Sequence, residues 1–287
     1  MIYALIALGY TLVYGIARLI NFAHGEIFMV GAFLGLGTLA LLEALHLDQA
    51  GLFLILPPLF ILPMVFCALL GSLVERFAYR PLRDAPRLAP LITAIGVSFI
   101  LQNAVMLISG PRDRAFPPVL EGGKIALGAA SATPHQILIA TFSFILMLSL
   151  YFFIQYSRTG KAMRALADDR VAANLMGVPT DRILSLTFAI GSAAAGAGGV
   201  LFGMYYNTIN FHDGYLAGLK AFTAAVLGGI GNVPGALVGG ILLGVLEGLG
   251  AAYGASEWKN AFAFFILIII LILRPRGLLG SRAVTSV

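Results

Sequence analysis

The sequence predicts an all-α integral membrane protein, a polytopic bundle of about eight or nine transmembrane helices forming a single domain over 1–287, and two observations predict it. The first is composition: 60% of the 287 residues are hydrophobic and 11% are charged, against roughly 25% charged in an ordinary soluble domain. The second is the length of the apolar runs. A hydrocarbon core about 30 Å thick takes about 20 apolar residues per helical crossing, so such runs leave no room for a sizeable soluble domain.

The runs fall in order at Ile2–Ala17, Ile27–Leu45, Leu52–Leu73, Leu88–Ile108, Gln136–Gln155, Ile183–Tyr206, Tyr215–Leu227, Pro234–Leu249 and Trp258–Leu273, and all nine read as helix. The first and seventh are short for a crossing, so each reads either as a spanning helix or as a re-entrant segment whose broken backbone is buried in protein. No cleavable signal peptide is evident, because the first run lacks a basic leader and continues into a second apolar segment. The single cysteine, Cys67, cannot close an intrachain disulfide and reads as a small buried hydrophobe.

Orientation follows from the 18 basic residues. Arg76, Arg80, Arg83 and Arg87 share one connection, Arg158, Lys161, Arg164, Arg170 and Arg182 another, and Arg274, Arg276 and Arg282 the tail. Basic connections stay in the cytoplasm, which also accounts for the net charge of +5 without nucleic acid. Nine crossings then put the beginning of the first helix outside and the C-terminus inside. The connection at about 110–134, rich in Pro and Gly, lies outside as a turn-rich surface loop.

Two interruptions match one another: Ile2–Ala17, INFAHGE and Ile27–Leu45 recur in outline as Tyr215–Leu227, GGIGN and Pro234–Leu249. Paired broken segments in two halves of a transporter point to a path near the membrane midplane. Polar residues in hydrocarbon usually face such a path or a bundle interior, which makes Asn21, His24 and Glu26 at the first break, Thr223 and Asn232 at the second, and Thr93, Ser98 and Gln102 on the fourth run candidates for a path or gate. Alternatively, Asn21, His24 and Glu26 cap the second helix at the cytoplasmic interface and pair with Arg18, and the polar groups of the fourth run serve interhelical hydrogen bonds.

The stretch at about 156–182 reads as a pair of short cytoplasmic helices. Thr159 caps the first, Asp168 or Asp169 breaks it and caps the second, and Gly177 with Pro179 ends it. Its small, charge-flanked surface suits docking into a groove on a soluble partner, or resting on the bilayer. No catalytic set, metal-ligand spacing or Walker A loop is present, so any ATP and Mg spent on transport belong to another chain. An ion-coupled carrier or channel would need charge deep in the membrane; Glu26, Lys220 and Glu247 are its only candidates, all placed near interfaces.

YALIALGYTLVYGIARLINFAHGEIFMVGAF, ERFAYRPLR, GKAMRALADDRVAANLMGVPTDRI and GLKAFTAAVLGGIGNVPGALVGGILLG with LILRPRGLLG together resemble the permease subunits of bacterial branched-chain amino acid ABC importers, specifically the first of two related permeases. The resemblance implies a multi-pass protein of the bacterial inner membrane that assembles with a second, related permease, two cytoplasmic ATPases and a periplasmic solute-binding protein. By motif position it implies that Gly160, Arg164, Ala165, Asp168, Asp169, Ala172, Ala173 and Gly177 form the coupling contact with an ATPase. Members of the family also import urea and short amides, which is the alternative substrate class. The family usually has further residues ahead of YALIALGY, and the loop after Ser109 follows no family pattern.

Overall fold

The computed structural model describes residues 1–47, 51–83, 85–86, 88–120, 123, 125–127, 130–253, 259–274 and 277–280. Arg87, Arg276, Arg282 and Trp258 of the expectations above lie outside the described residues.

Nine apolar helices appear among the described residues: α1 (Ile2–Ala17), α2 (Ala23–Ala44), α3 (Leu52–Val74), α4 (Leu88–Ser109), α5 (Pro134–Tyr156), α8 (Thr180–Tyr206), α9 (Asp213–Gly228), α10 (Val233–Tyr253) and α11 (Lys259–Leu273). Six of them, α2, α3, α4, α5, α8 and α10, are long and apolar enough to cross a bilayer, so the chain is a multi-pass membrane protein. Two short helices, α6 (Arg158–Asp168) and α7 (Arg170–Leu175), occupy the expected docking stretch. The expectation placed the start of α2 near Ile27, but it begins at Ala23 with Phe22 at its cap and no side-chain cap bond. INFAHGE is therefore mostly helix, and the break is confined to Arg18–Phe22.

The core is α8, packed on α1, α2 and α3. Its run of Gly and Ala lets backbones approach closely, which is how membrane helices gain contact where no water drives them together. A Cβ on Gly31 of α2 would lie 2.5 Å from Gly196 Cα, and one on Gly199 would overlap the carbonyl oxygen of Phe28. Gly199→Val is expected to destabilise the bundle by about 1–3 kcal/mol through overpacking. Gly37→Ala, with nothing near its Cβ, should leave it unchanged. Thermal unfolding in detergent reads the difference, and equal midpoints for the two variants would contradict this packing.

One end of the bundle gathers the basic connections. A π-helical turn (Glu75–Tyr79) and a 3-10 turn (Arg80–Leu82) prolong α3. Arg80 and Arg83 bind Asp181 at the start of α8, while Arg83 and Ser185 bind the buried Glu75. Burial lowers the pKa of the Arg83 guanidinium; Glu75 opposes this, and the like charges of Arg170 and Arg80 add to it. Arg18 donates to the Ala167 carbonyl of α6 at 3.2 Å, a tie to the docking hairpin in place of the alternative pairing with Asn21, His24 and Glu26. The tail joins the same end: Leu278 and Leu279 N–H groups donate to the Leu227 and Gly228 carbonyls, and Gly231 sits against Gly15 in the last turn of α1.

The opposite end carries the expected turn-rich loop, which is anchored more firmly than its composition suggests. Strand β1 (Arg114–Ala115) pairs with β4 (Thr208–Ile209), β2 (Ile125–Leu127) pairs with β3 (Ala130–Ala132), and the buried Phe116 ring fills space beside Gly35 and Gly203. Lys220 of α9 and Glu247 of α10 are buried and paired beside the start of α1: Nζ to Oε1 is 2.6 Å, and Nζ also reaches the Tyr3 hydroxyl at 3.2 Å.

Candidate functional site

Two places gather the candidate residues. The first is a cavity of about 550 Å³ between α1, α4 and α9, lined by Tyr10, Ser98, Gln102, His212, Gly214 and Gly218 among others. Ser98 and Gln102 are one helical turn apart on α4 and so share a face. Ser98 Oγ donates to Glu26 Oε1 at 3.2 Å, and Gln102 Nε2 lies 2.8 Å from His212 Nδ1. The other oxygen of Glu26, Oε2, has no hydrogen-bond partner among the described residues and rests against Gly214. Glu26 lies in the first turn of α2 and touches the first turn of α9.

Glycine makes this arrangement possible. A Cβ on Gly218 would lie 2.9 Å from Gly25 Cα and 3.1 Å from the Tyr10 hydroxyl, so only hydrogen at this position allows α2, α9 and Tyr10 to meet. The cavity thus offers an amide, hydroxyls and an imidazole beside apolar and aromatic side chains, with the Glu26 carboxylate buried behind Ser98. That combination suits a small polar solute with an apolar part.

The remaining path candidates do not line this cavity. Asn21 Oδ1 accepts from the Tyr79 hydroxyl at 2.6 Å and ties the first break to the π-helical turn. His24 is buried with its ring edge-on to Tyr10, 4.7 Å between centroids, and packs over Gly9. Thr223 Oγ1 donates to the Leu219 carbonyl of its own helix at 2.8 Å. Asn232 accepts from Gly235 N–H at the start of α10 and donates to the Leu279 carbonyl at 2.6 Å. Thr93 lies five residues before Ser98, off the face that Ser98 and Gln102 share. Reasoning from the sequence missed Tyr10, His212, Gly214 and Gly218; the HDG run at 212–214 marks a helix start, but nothing in it signals which helix lies opposite.

The second place is the α6–α7 hairpin. Ser157, rather than the expected Thr159, caps α6 by accepting from Gly160 N–H at 2.9 Å, because the helix begins two residues earlier than expected. Asp169 breaks the hairpin and caps α7, accepting from the N–H groups of Val171 and Ala172 at 2.8 and 3.0 Å. Gly177 follows with a φ of +82°, a left-handed conformation that favours glycine.

The structure divides the eight docking candidates into two groups. Gly160 is pressed onto the last carbonyls of α5, Arg164 donates to the Ile154 carbonyl, and Ala173 packs with Met163, Leu166 and Ile183; these three serve contacts within the chain. Ala165, Asp168, Asp169, Ala172 and Gly177 are exposed. Beside them Val171, Leu175 and Met176 stand in the open, the last two at 83% and 84% exposure.

The family model described as branched-chain amino acid transport system / permease component matches residues 1–271. The chain is 46% identical to the high-affinity branched-chain amino acid transport system permease protein LivH of Escherichia coli K12, over 99% of this chain and 93% of the relative. It is equally similar, at 46%, to the corresponding protein BraD of Pseudomonas aeruginosa, covering 99% and 94% of the two chains. The permease protein LivM of E. coli K12 is 26% identical over 97% of this chain and 68% of its own. No solved structure matches the chain. A membrane bundle of this length, matched almost end to end by the family model and by relatives at this identity, belongs to the branched-chain amino acid transport system permease component family.

Proposed function

We propose that this chain is the first of two permease subunits of an ATP-driven importer of branched-chain amino acids, assembled with a second permease, two cytoplasmic ATPases and a solute-binding protein. The observation that carries the reading is the α6–α7 hairpin. It stands at the end of the bundle that holds the basic connections and presents Leu175 and Met176 beside Asp168 and Asp169. A large apolar pair rimmed by charge is the anatomy of a protein contact. ATP and Mg reside on the ATPases, and this chain supplies passage.

The same reading orients the molecule. Alternating chain direction through nine apolar helices puts Arg18–Phe22, Glu75–Arg83, the hairpin, Gly229–Asn232 and the tail on the cytoplasmic side, and the paired strands β1 and β4 outside. This supports nine crossings, with α1 and α9 completed by packing against α10. In a Cys67→Ala background, a single cysteine at position 170 should resist an impermeant thiol reagent in intact cells, and one at Pro117 should react. Labelling at 170 would overturn this orientation.

The cavity at Ser98 and Gln102 is this chain's share of the path, and a second permease closes its open side against α4, whose Ile92, Phe99 and Leu107 are exposed. Its apolar walls suit an aliphatic side chain, and the Ser98 hydroxyl and Gln102 amide suit the polar groups of an amino acid. Ser98→Ala with Gln102→Ala is expected to lower leucine uptake by the reconstituted transporter at least tenfold while leaving assembly intact, because each lost hydrogen bond in a desolvated site costs about 1–3 kcal/mol. Unchanged uptake would remove the cavity from the path. Uptake of urea in place of leucine and valine by the unaltered complex would overturn the substrate assignment.

A further inference from the structure

A cleft of about 1180 Å³ lies between α7, the start of α8 and the turns that prolong α3. Its rim carries Arg80, Arg170 and Arg182, and its only carboxylate, Asp181, is already held by Arg80 and Arg83. Arg170 and Arg182 have no ion-pair partner among the described residues, so the cleft holds a surplus of positive charge. Thr180 and Ser185 add hydroxyls, and the floor ends on Leu186 and Ala189 of α8. Leu69 and Leu73 of α3 and Leu186 of α8 are all exposed, which continues the cleft into a hydrocarbon-facing surface.

We propose that this cleft binds the phosphate headgroup of an anionic phospholipid, with the acyl chains lying along the exposed faces of α3 and α8. Guanidinium groups match phosphate oxygens in bidentate fashion, and basic pockets between membrane helices on the cytoplasmic side recognise such headgroups. The volume exceeds what a small solute usually fills, about 300–1000 Å³, and accommodates a headgroup with its glycerol. An ATPase is the poorer occupant. Arg170, Val171 and Asn174 of α7 line the cleft, while the exposed Leu175 and Met176 do not. The proposal rests on the reading that this end of the bundle meets the cytoplasmic leaflet.

The test is lipid retention by the assembled transporter, counted by native mass spectrometry after reconstitution in symmetric phosphatidylethanolamine vesicles with and without phosphatidylglycerol. The unaltered complex should retain phosphatidylglycerol, and Arg170→Gln with Arg182→Gln should weaken retention on the order of thirtyfold. Arg112→Gln, which removes the same kind of charge at the opposite end, should not change it. Retention unaffected by the double substitution would overturn the proposal. Displacement of the lipid by inorganic phosphate would show a site for free anions instead. Loss of the ATPases from the double variant, with lipid retention intact, would show an ATPase contact. Because the vesicles are symmetric, retention is read whichever way the bundle is oriented, so failure of the topology and failure of the lipid site are distinguishable.

Discussion

Leu175→Asp with Met176→Asp is expected to give a membrane-inserted subunit that no longer co-purifies with its ATPases and no longer stimulates their hydrolysis when loaded binding protein is added. Both side chains are more than four-fifths exposed in the isolated chain, although each would gain about 1.5–3 kcal/mol on full burial. Losing both contacts and forcing two carboxylates into the groove removes the gain of burial and adds desolvation. The expected loss of ATPase affinity is therefore at least a hundredfold. Ala173 is the contrasting position. Its methyl group packs with Met163, Leu166 and Ile183, so Ala173→Trp should loosen the hairpin itself rather than block a partner. Trypsin sensitivity between α6 and α7 separates the two effects. Normal assembly and normal stimulated hydrolysis in the aspartate variant would show that the ATPases dock elsewhere, and a shift from vesicle-bound to free hairpin without loss of ATPases would show that the pair rests on the bilayer.

Lys220→Met alone is expected to destabilise the bundle by about 3–5 kcal/mol, because it leaves Glu247 charged, buried and without its cation. Lys220→Met with Glu247→Leu should recover most of that loss, since replacing both ions by apolar groups of similar size is often neutral. Tyr3, whose hydroxyl accepts from Lys220, links α1 to the pair and extends the effect across three helices. Cys67 provides the readout. It is the chain's single cysteine, fully buried between α3 and α2, and becomes reactive to a thiol dye only as the helices separate. Midpoints for dye labelling on heating should fall sharply in the single variant and return in the double one. Equal midpoints for both would mean that the charges are not paired in the bilayer.

The helical class, the nine apolar runs, a break at Asp168 or Asp169 and the family were legible in the sequence. Each of these is written in local terms: lengths of apolar runs, a carboxylate that caps two N–H groups, motifs contiguous along the chain. The left-handed Gly177 after α7 belongs to the same group, because a helix end is decided within a few residues. The faces of the helices were not legible in this way. In water an apolar stripe marks the side of a helix that turns inward, but α4 carries apolar side chains on every side and exposes Ile92, Phe99 and Leu107 while burying Ala94. A bilayer welcomes the same side chains on both sides, so periodicity carries no orientation. Tertiary packing alone decided that Glu26 meets Ser98, that Asn21 meets Tyr79 and that Lys220 meets Glu247, and it sent His24, Thr223 and Asn232 to structural contacts away from the cavity. The physical reason lies in the small residues. Gly25, Gly214 and Gly218 name no partner in the sequence, yet the close approach of backbones that they permit determines which polar groups share a space.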